Sequence, residues 1–105
     1  MEITKETVKT SNLHQGHTVV GAVAVPLCLQ FTTYQGILVR CPGPNDPVPN
    51  TAPVWIGRTG VTADSGPTGG FPVLPGHSVT IPVDDPSQLF CISTIEDQDI
   101  AWIGA

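Results

Sequence analysis

Hydrophobic and polar residues alternate along this chain in short runs, which are separated by turn-forming residues. In residues 27–33, leucine and phenylalanine alternate with cysteine, glutamine and threonine, and residues 77–83 alternate in a similar way. A period of two places successive side chains on opposite faces, which is the pattern of a half-buried β-strand. Together with short apolar runs rich in β-branched residues, this pattern predicts about seven short strands, at residues 17–25, 27–33, 37–41, 54–58, 77–83, 88–94 and 99–104.

The segments between these runs are rich in glycine and proline. Gln35-Gly36 predicts a tight turn that joins residues 27–33 and 37–41 into an antiparallel hairpin. Residues 42–53 have proline at four of their first eight positions, which indicates a stiff, extended loop. The whole pattern predicts an all-β fold, a small β-sandwich or β-barrel of antiparallel strands.

The length of the chain, 105 residues, is that of one domain. Residues 1–15 lack the alternating pattern, so we expect them to form an extended N-terminal arm. A single β-sandwich or barrel domain is then expected at residues 16–105. A domain of this size folds with little margin, and association with other chains would add useful burial.

The chain carries few charges, and their distribution is uneven. Only 12% of the residues are charged, about half of the usual share of roughly 25%, which suggests that partners cover much of the surface. The net charge of −5 arises entirely in residues 51–105. Nucleic-acid binding needs a basic patch, and four basic residues cannot build one, so we expect no direct contact with nucleic acid.

The start of the chain has mixed charge and no apolar core of the kind that a signal peptide has. No apolar run approaches the roughly 20 residues that span a bilayer, so we expect no membrane partner. Synthesis in a reducing cytoplasm fits the odd number of cysteines, for which we expect buried free thiols. These are Cys28, Cys41 and Cys91.

Candidate chemical groups are scattered. Three histidines would suffice for a zinc site, but His14 and His17, three apart, would face opposite sides of a strand, and His77 follows a turn. Asp84-Asp85 precedes Pro-Ser and is typical of a turn in which an aspartate bonds the backbone. We therefore expect no metal, cofactor or catalytic site, and no enzyme.

Trp55 and Trp102 both lie in predicted strands beside isoleucine. Their rings would either pack in the core or, if exposed, form a platform on which a sugar could stack.

Residues 53–105 also show a recognisable order of strands and turns. It includes Ile56-Gly57 in the first strand, a loop that ends in Leu74-Pro75-Gly76, and a last strand that holds Trp102. This layout resembles a small β-rich module of tailed-phage virion proteins. Together with the chain length and the expected arm, it resembles a capsid decoration protein, also called a cement protein.

The resemblance implies a non-enzymatic virion protein, made in the host cytoplasm and located on the outer surface of the phage head. Proteins of this kind form knobs that cluster as homotrimers, bind the major capsid protein and bridge neighbouring capsomers. The arm would add a strand to a capsid sheet through main-chain hydrogen bonds. Its expected contact residues are Ile3, Thr4, Lys5, Thr7, Val8, Lys9 and Leu13.

Two other interpretations remain open. The chain could be a tail, fibre or neck component of a virion that uses the same module. It could also be a carbohydrate-binding module that uses Trp55 or Trp102.

Overall fold

The computed structural model describes residues 13–105, which form eight β-strands in two antiparallel sheets. One 3₁₀ turn, Pro86–Gln88, precedes the seventh strand. The strands are β1 (His14–Val20), β2 (Val25–Pro26), β3 (Ile37–Arg40), β4 (Val54–Gly57), β5 (Phe71–Val73), β6 (Ser78–Ile81), β7 (Phe90–Ile92) and β8 (Gln98–Gly104).

The first sheet has the strand order β1-β8-β3-β6, and the second has the order β2-β7-β4-β5. The predicted all-β fold is confirmed, and it takes the form of a sandwich-like pair of sheets instead of one closed barrel. Residues 1–12, which make up most of the expected arm, lie outside the described residues. His14 and Gln15, which were also expected in the arm, belong to β1.

The core lies between the two sheets and is built by every second residue of each strand. In β3, Ile37 and Val39 are fully buried, whereas Leu38 and Arg40 point outward. Burying one such aliphatic side chain stabilises the fold by about 1.5–3 kcal/mol. The core cluster consists of Val20, Leu27, Ile37, Val39, Cys41, Val54, Ile56, Val73, Cys91 and Ile100.

Trp102 packs against this core from β8. Gly16 lies directly opposite it on β1, and a Cβ atom there would come within 2.6 Å of the indole ring. The indole ring of Trp102 also stacks on Phe31, with the two ring centroids 5.9 Å apart. The indole Nε1 donates a hydrogen bond to Thr18 Oγ1 at 3.3 Å, so Trp102 has the core role, with its polar atom satisfied.

Two predicted strand boundaries at the start of the domain are wrong. The strand expected at residues 17–25 is two strands, because β1 ends at Val20 and β2 begins at Val25. The bend between them carries the chain from the first sheet to the second. Pro26 ends β2, which is an edge strand where the missing N–H costs no ladder bond.

The strand expected at residues 27–33 is absent, and so is its hairpin with β3. This segment crosses from the second sheet back to the first, and β3 pairs with β6 and β8. Leu27 is fully buried while Leu29 is 89% exposed, although both would share a face in a strand. A further strand, β5, was missed because Pro72 occupies its centre.

The three cysteines are free thiols, as expected, with Cys41 and Cys91 buried and Cys28 half-buried. Burial raises the pKa of Cys91 to about 12 and that of Cys28 to about 11. These thiols are therefore protonated, and poor nucleophiles, at neutral pH.

The contrast between Leu27 and Leu29 predicts unequal effects of truncation. We expect Leu27→Ala to lower the free energy of unfolding by about 2–5 kcal/mol, because it opens a cavity in the core. Leu29→Ala should change it by less than about 0.5 kcal/mol, since its side chain is in solvent. Urea denaturation measures both, and equal losses would instead support a strand with one buried face.

Candidate interaction surfaces

The outer side of the second sheet is apolar throughout. Its outward positions form two cross-strand rows, with Trp55 between Pro72 and Ile92, and Phe90 between Gly57 and Pro26. An antiparallel sheet with one face on the core usually has polar residues on the other. We call this surface the apolar face, and it consists of Pro26, Trp55, Gly57, Pro72, Phe90 and Ile92.

The large side chains of the apolar face, Trp55, Phe90 and Ile92, are half-buried and lie outside the core cluster, and the buried Val61 packs over Gly57. Directly opposed residues in such a sheet have Cβ atoms about 4.5–5.5 Å apart, so Trp55 and Ile92 form a continuous surface. A contiguous, partly exposed apolar patch of this kind favours interaction with another molecule. The outer side of the first sheet differs, because it mixes Leu38 and Ile103 with polar residues. These polar residues are Gln15, His17, Arg40, Ser78, Thr80 and Asp99.

A sequence signal for the apolar face was present. Residues 54–57 and 89–92 are continuous apolar runs without polar alternation. Runs of this type are typical of strands that are covered on both faces. Sequence reasoning singled out only Trp55, because the shared outward position of Pro72, Phe90 and Ile92 depends on strand register.

Four loops meet at the end of the sandwich where β1 finishes and β8 begins. They are residues 21–24, 41–53, 74–77 and 93–97, and we call this surface the four-loop end. Each loop presents one exposed large aliphatic side chain, and Leu74 lies just beyond the end of β5, two residues after Pro72 of the apolar face. The four side chains are Val23, Val48, Leu74 and Ile95, which are 74%, 80%, 46% and 46% exposed.

Two buried amide side chains hold these loops in place. Gln98 Oε1 accepts hydrogen bonds from the backbone N–H groups of Thr51 and Ala52, at 2.8 and 3.0 Å. Asn50 exchanges hydrogen bonds with both backbone groups of Asp99, donating to its carbonyl at 2.7 Å and accepting from its N–H at 2.9 Å. These bonds tie the 41–53 loop to Gln98 and Asp99, the first two residues of β8. The exposed residues of the loop are therefore held in position without a partner.

The four-loop end is acidic. Glu96 accepts a hydrogen bond from Ala22 N at 2.8 Å, and Asp97 lies beside it. Arg40 forms an ion pair with Asp46 at 3.0 Å. The Gly43 N–H and this guanidinium lower the pKa of the Asp46 carboxyl, which stays ionised at neutral pH. A partner for this end would therefore combine apolar residues with basic ones.

The histidines take separate positions. His14 stacks on Phe31 at 4.2 Å on the inner side of β1, whereas His17 lies on the outer side and contacts Asp99 Oδ2 at 2.7 Å. His77 lies in the 74–77 loop. Among residues 13–105, no group of three or more histidine, cysteine or acidic side chains is placed to hold a metal ion.

Other predicted residues are placed as follows. Asp85 accepts hydrogen bonds from Ser87 N and Oγ, at 3.1 and 2.7 Å, and so caps the 3₁₀ turn, which confirms the turn role expected for this segment.

Leu13, the one expected arm contact within the described residues, is 50% exposed ahead of β1. In the same part of the chain, no helix has the length and hydropathy to cross a membrane.

The role of Gln98 can be tested with a substitution of similar size. Gln98→Met removes the acceptor for the N–H groups of Thr51 and Ala52, and each N–H left buried without a partner costs about 1–3 kcal/mol. We expect a lower urea midpoint and faster proteolysis within residues 41–53. Gln35→Met is the control, because Gln35 is exposed. Equal midpoints for the two variants would contradict the role of Gln98.

Comparison with known proteins yields no relative for this chain. No family model, no curated protein and no solved structure matches it. The apolar face and the four-loop end are therefore the features from which we infer a function.

Proposed function

We propose that this protein is a non-enzymatic structural protein of a tailed-phage virion, a decoration protein that binds the outer surface of the head. The observation that carries the proposal is that the second sheet is apolar on both faces. One face is covered by the first sheet, and the other is available for a protein partner. Because residues 53–105 resemble virion modules, we propose the major capsid protein as the partner.

The apolar face is suited to lasting assembly. Its aromatic members, Trp55 and Phe90, have large apolar areas, and burial of apolar area contributes about 25 cal/mol per Å². Tryptophan is also enriched among the few interface residues that dominate binding energy. The side chains of this face lie on paired strands, so the backbone that carries them loses little conformational entropy on docking.

Copies of the protein act together in this proposal. Three copies group at a local threefold position of the shell and contact neighbouring capsomers at once. Linked contacts raise the effective concentration of each further contact, so modest single contacts give firm attachment. The acidic four-loop end favours basic patches on the capsid surface. Each bridge raises the free energy needed to separate two capsomers.

The chain ahead of β1 is proposed to contribute a second contact. Residues 3–9 are rich in β-branched residues and carry Lys5 and Lys9, which suits pairing with a capsid strand. Both lysines would also complement acidic groups on the shell.

A carbohydrate-binding function is the second candidate, and one observation favours it. Trp55 lies on an open sheet face between Pro72 and Ile92, where a sugar ring could stack. Trp102 is removed from this candidate by its packing against Phe31 and the core. A tail, fibre or neck location would use the same apolar face on a different assembly.

Binding to phage heads that lack the protein tests the main proposal. We expect the wild-type chain to cosediment with such heads, and electron cryomicroscopy to reveal knobs at threefold sites. Trp55→Ser should weaken binding at least tenfold, which corresponds to about 1.4 kcal/mol. Leu38→Ser is the matched control, since Leu38 is apolar, 41% exposed and on the outer side of the first sheet.

Smooth heads, with all of the protein in the supernatant, would refute the decoration role. Equal binding by the two variants would refute the role of the apolar face. If the heads stay smooth and oligosaccharides quench the tryptophan fluorescence of the wild type but not of Trp55→Ser, the carbohydrate function replaces the proposal.

Deletion of residues 1–12 tests the second contact. We expect a several-fold loss of head affinity with an unchanged circular dichroism spectrum, because the deletion ends before β1. Undiminished binding would remove this segment from the proposed interface.

A further inference from the structure

Among residues 13–105, the strand β1 forms an edge of the first sheet and pairs with β8 alone. Within residues 13–105, the backbone groups of residues 15–20 form no hydrogen bond other than those of this pairing. Every second backbone N–H and C=O of an edge strand points away from its sheet. The side of residues 15–20 that faces away from β8 therefore presents a row of backbone hydrogen-bond donors and acceptors.

The other three edges of the two sheets are protected. β2 has two residues and ends in Pro26, and β5 has three residues with Pro72 at its centre. β6 has four residues and is followed at once by Pro82. Short length and proline are common devices by which proteins prevent strands from adding to an edge.

β1 has none of these devices. It is seven residues long and contains no proline, no lysine, no arginine and no acidic residue. Val19 is 70% exposed on its outer side, a position where protected edges often carry a charge. The exposed valine and the open backbone row together favour the addition of one more extended strand.

We propose that the added strand is β1 of a second copy of this chain, antiparallel about a twofold axis at His17. Centring the pair on His17 places residues 15–19 of one strand opposite residues 19–15 of the other, within the seven residues of β1. The two first sheets then form one continuous sheet of eight strands. This pairing leaves the apolar face free, because that face belongs to the second sheet.

The side chains of β1 are compatible with this arrangement. Gln15 of one copy lies opposite Val19 of the other, and Gly16 lies opposite Thr18, so no two like formal charges are opposed. A twofold axis perpendicular to the sheet also keeps inward-facing residues with inward-facing residues. The exposed Val19 gains a cross-strand neighbour, which contributes roughly 0.2–1 kcal/mol.

The nearest acidic groups do not prevent pairing. Asp99 lies on β8, where it contacts His17 at 2.7 Å. Three strand spacings across the sheet and four residues along the strands separate the two copies of Asp99, so these residues are about 20 Å apart. This exceeds the Debye length of about 8 Å at physiological ionic strength, and salt screens most of the repulsion.

Pairing through one strand is a small contact, below the roughly 1,200–2,000 Å² that stable complexes bury. We therefore expect a weak dimer in solution that is readily captured by a cross-linker. On an assembly that holds copies side by side, the high effective concentration makes the same contact significant. The inference itself does not depend on the head-binding proposal.

Site-specific cross-linking of the full chain tests the pairing. Gln15→Cys, His17→Cys and Val19→Cys are treated with a short bismaleimide, alone and in mixtures. We expect the fastest dimer formation for His17→Cys alone and for Gln15→Cys mixed with Val19→Cys. Thr80→Cys, which is exposed on β6 at the opposite edge of the first sheet, and the wild type with its three native thiols give the background rate.

Rates no faster than the Thr80→Cys background would overturn the proposal and leave the edge to residues 1–12 or to another protein. Fastest cross-linking of Gln15→Cys with itself and of Val19→Cys with itself would overturn the antiparallel arrangement. Adding Val19→Lys to the His17→Cys chain supplies the second test. The Val19→Lys substitution should lower the cross-linking rate of the His17→Cys chain to background, because a lysine on an edge strand disfavours strand addition. Its circular dichroism spectrum should stay unchanged, because Val19 is largely solvent-exposed.

Discussion

The structure depends on the burial of inward-facing residues between two sheets that the chain builds in alternation. Every connection except the one from β4 to β5 crosses from one sheet to the other. Strands that are neighbours in sequence are therefore seldom partners, and β1 pairs with β8 across more than eighty residues of chain. Closing such long loops costs entropy before any contact compensates for it. The fold becomes stable only when both sheets assemble and enclose the core together.

This alternation also positions the surfaces that we associate with function. The crossings place residues 21–24, 41–53, 74–77 and 93–97 at one end, where Gln98 and Asn50 tie the longest of these loops to β8. They place β1 at one edge of the first sheet. The apolar face lies on the opposite side of the molecule from the polar outer side of the first sheet. One sandwich thus offers a sheet face, a loop end and a strand edge that different neighbours can use at once.

These surfaces share one physical character, since each is suited to contact with protein. The apolar face offers area, the four-loop end offers aliphatic side chains beside acidic ones, and β1 offers backbone hydrogen bonds. The titratable groups, by contrast, are dispersed or occupied in structure. Asp85 caps a turn, Asp46 accepts from Gly43 and pairs with Arg40, and His17 pairs with Asp99. The structural role in an assembly that we propose draws on these three surfaces.

The sequence by itself determined the all-β class, the alternating core positions of β3 and β6, and the free thiols, because these follow from local periodicity and composition. Only the tertiary structure decided that Leu27 is buried while Leu29 is exposed, since the crossover between the sheets overrides the alternation of residues 27–33. The same holds for the partners of β3 and for the shared outward side of Trp55, Phe90 and Ile92. Strand register sets these positions, and it joins residues far apart in the chain through contacts that no local pattern records.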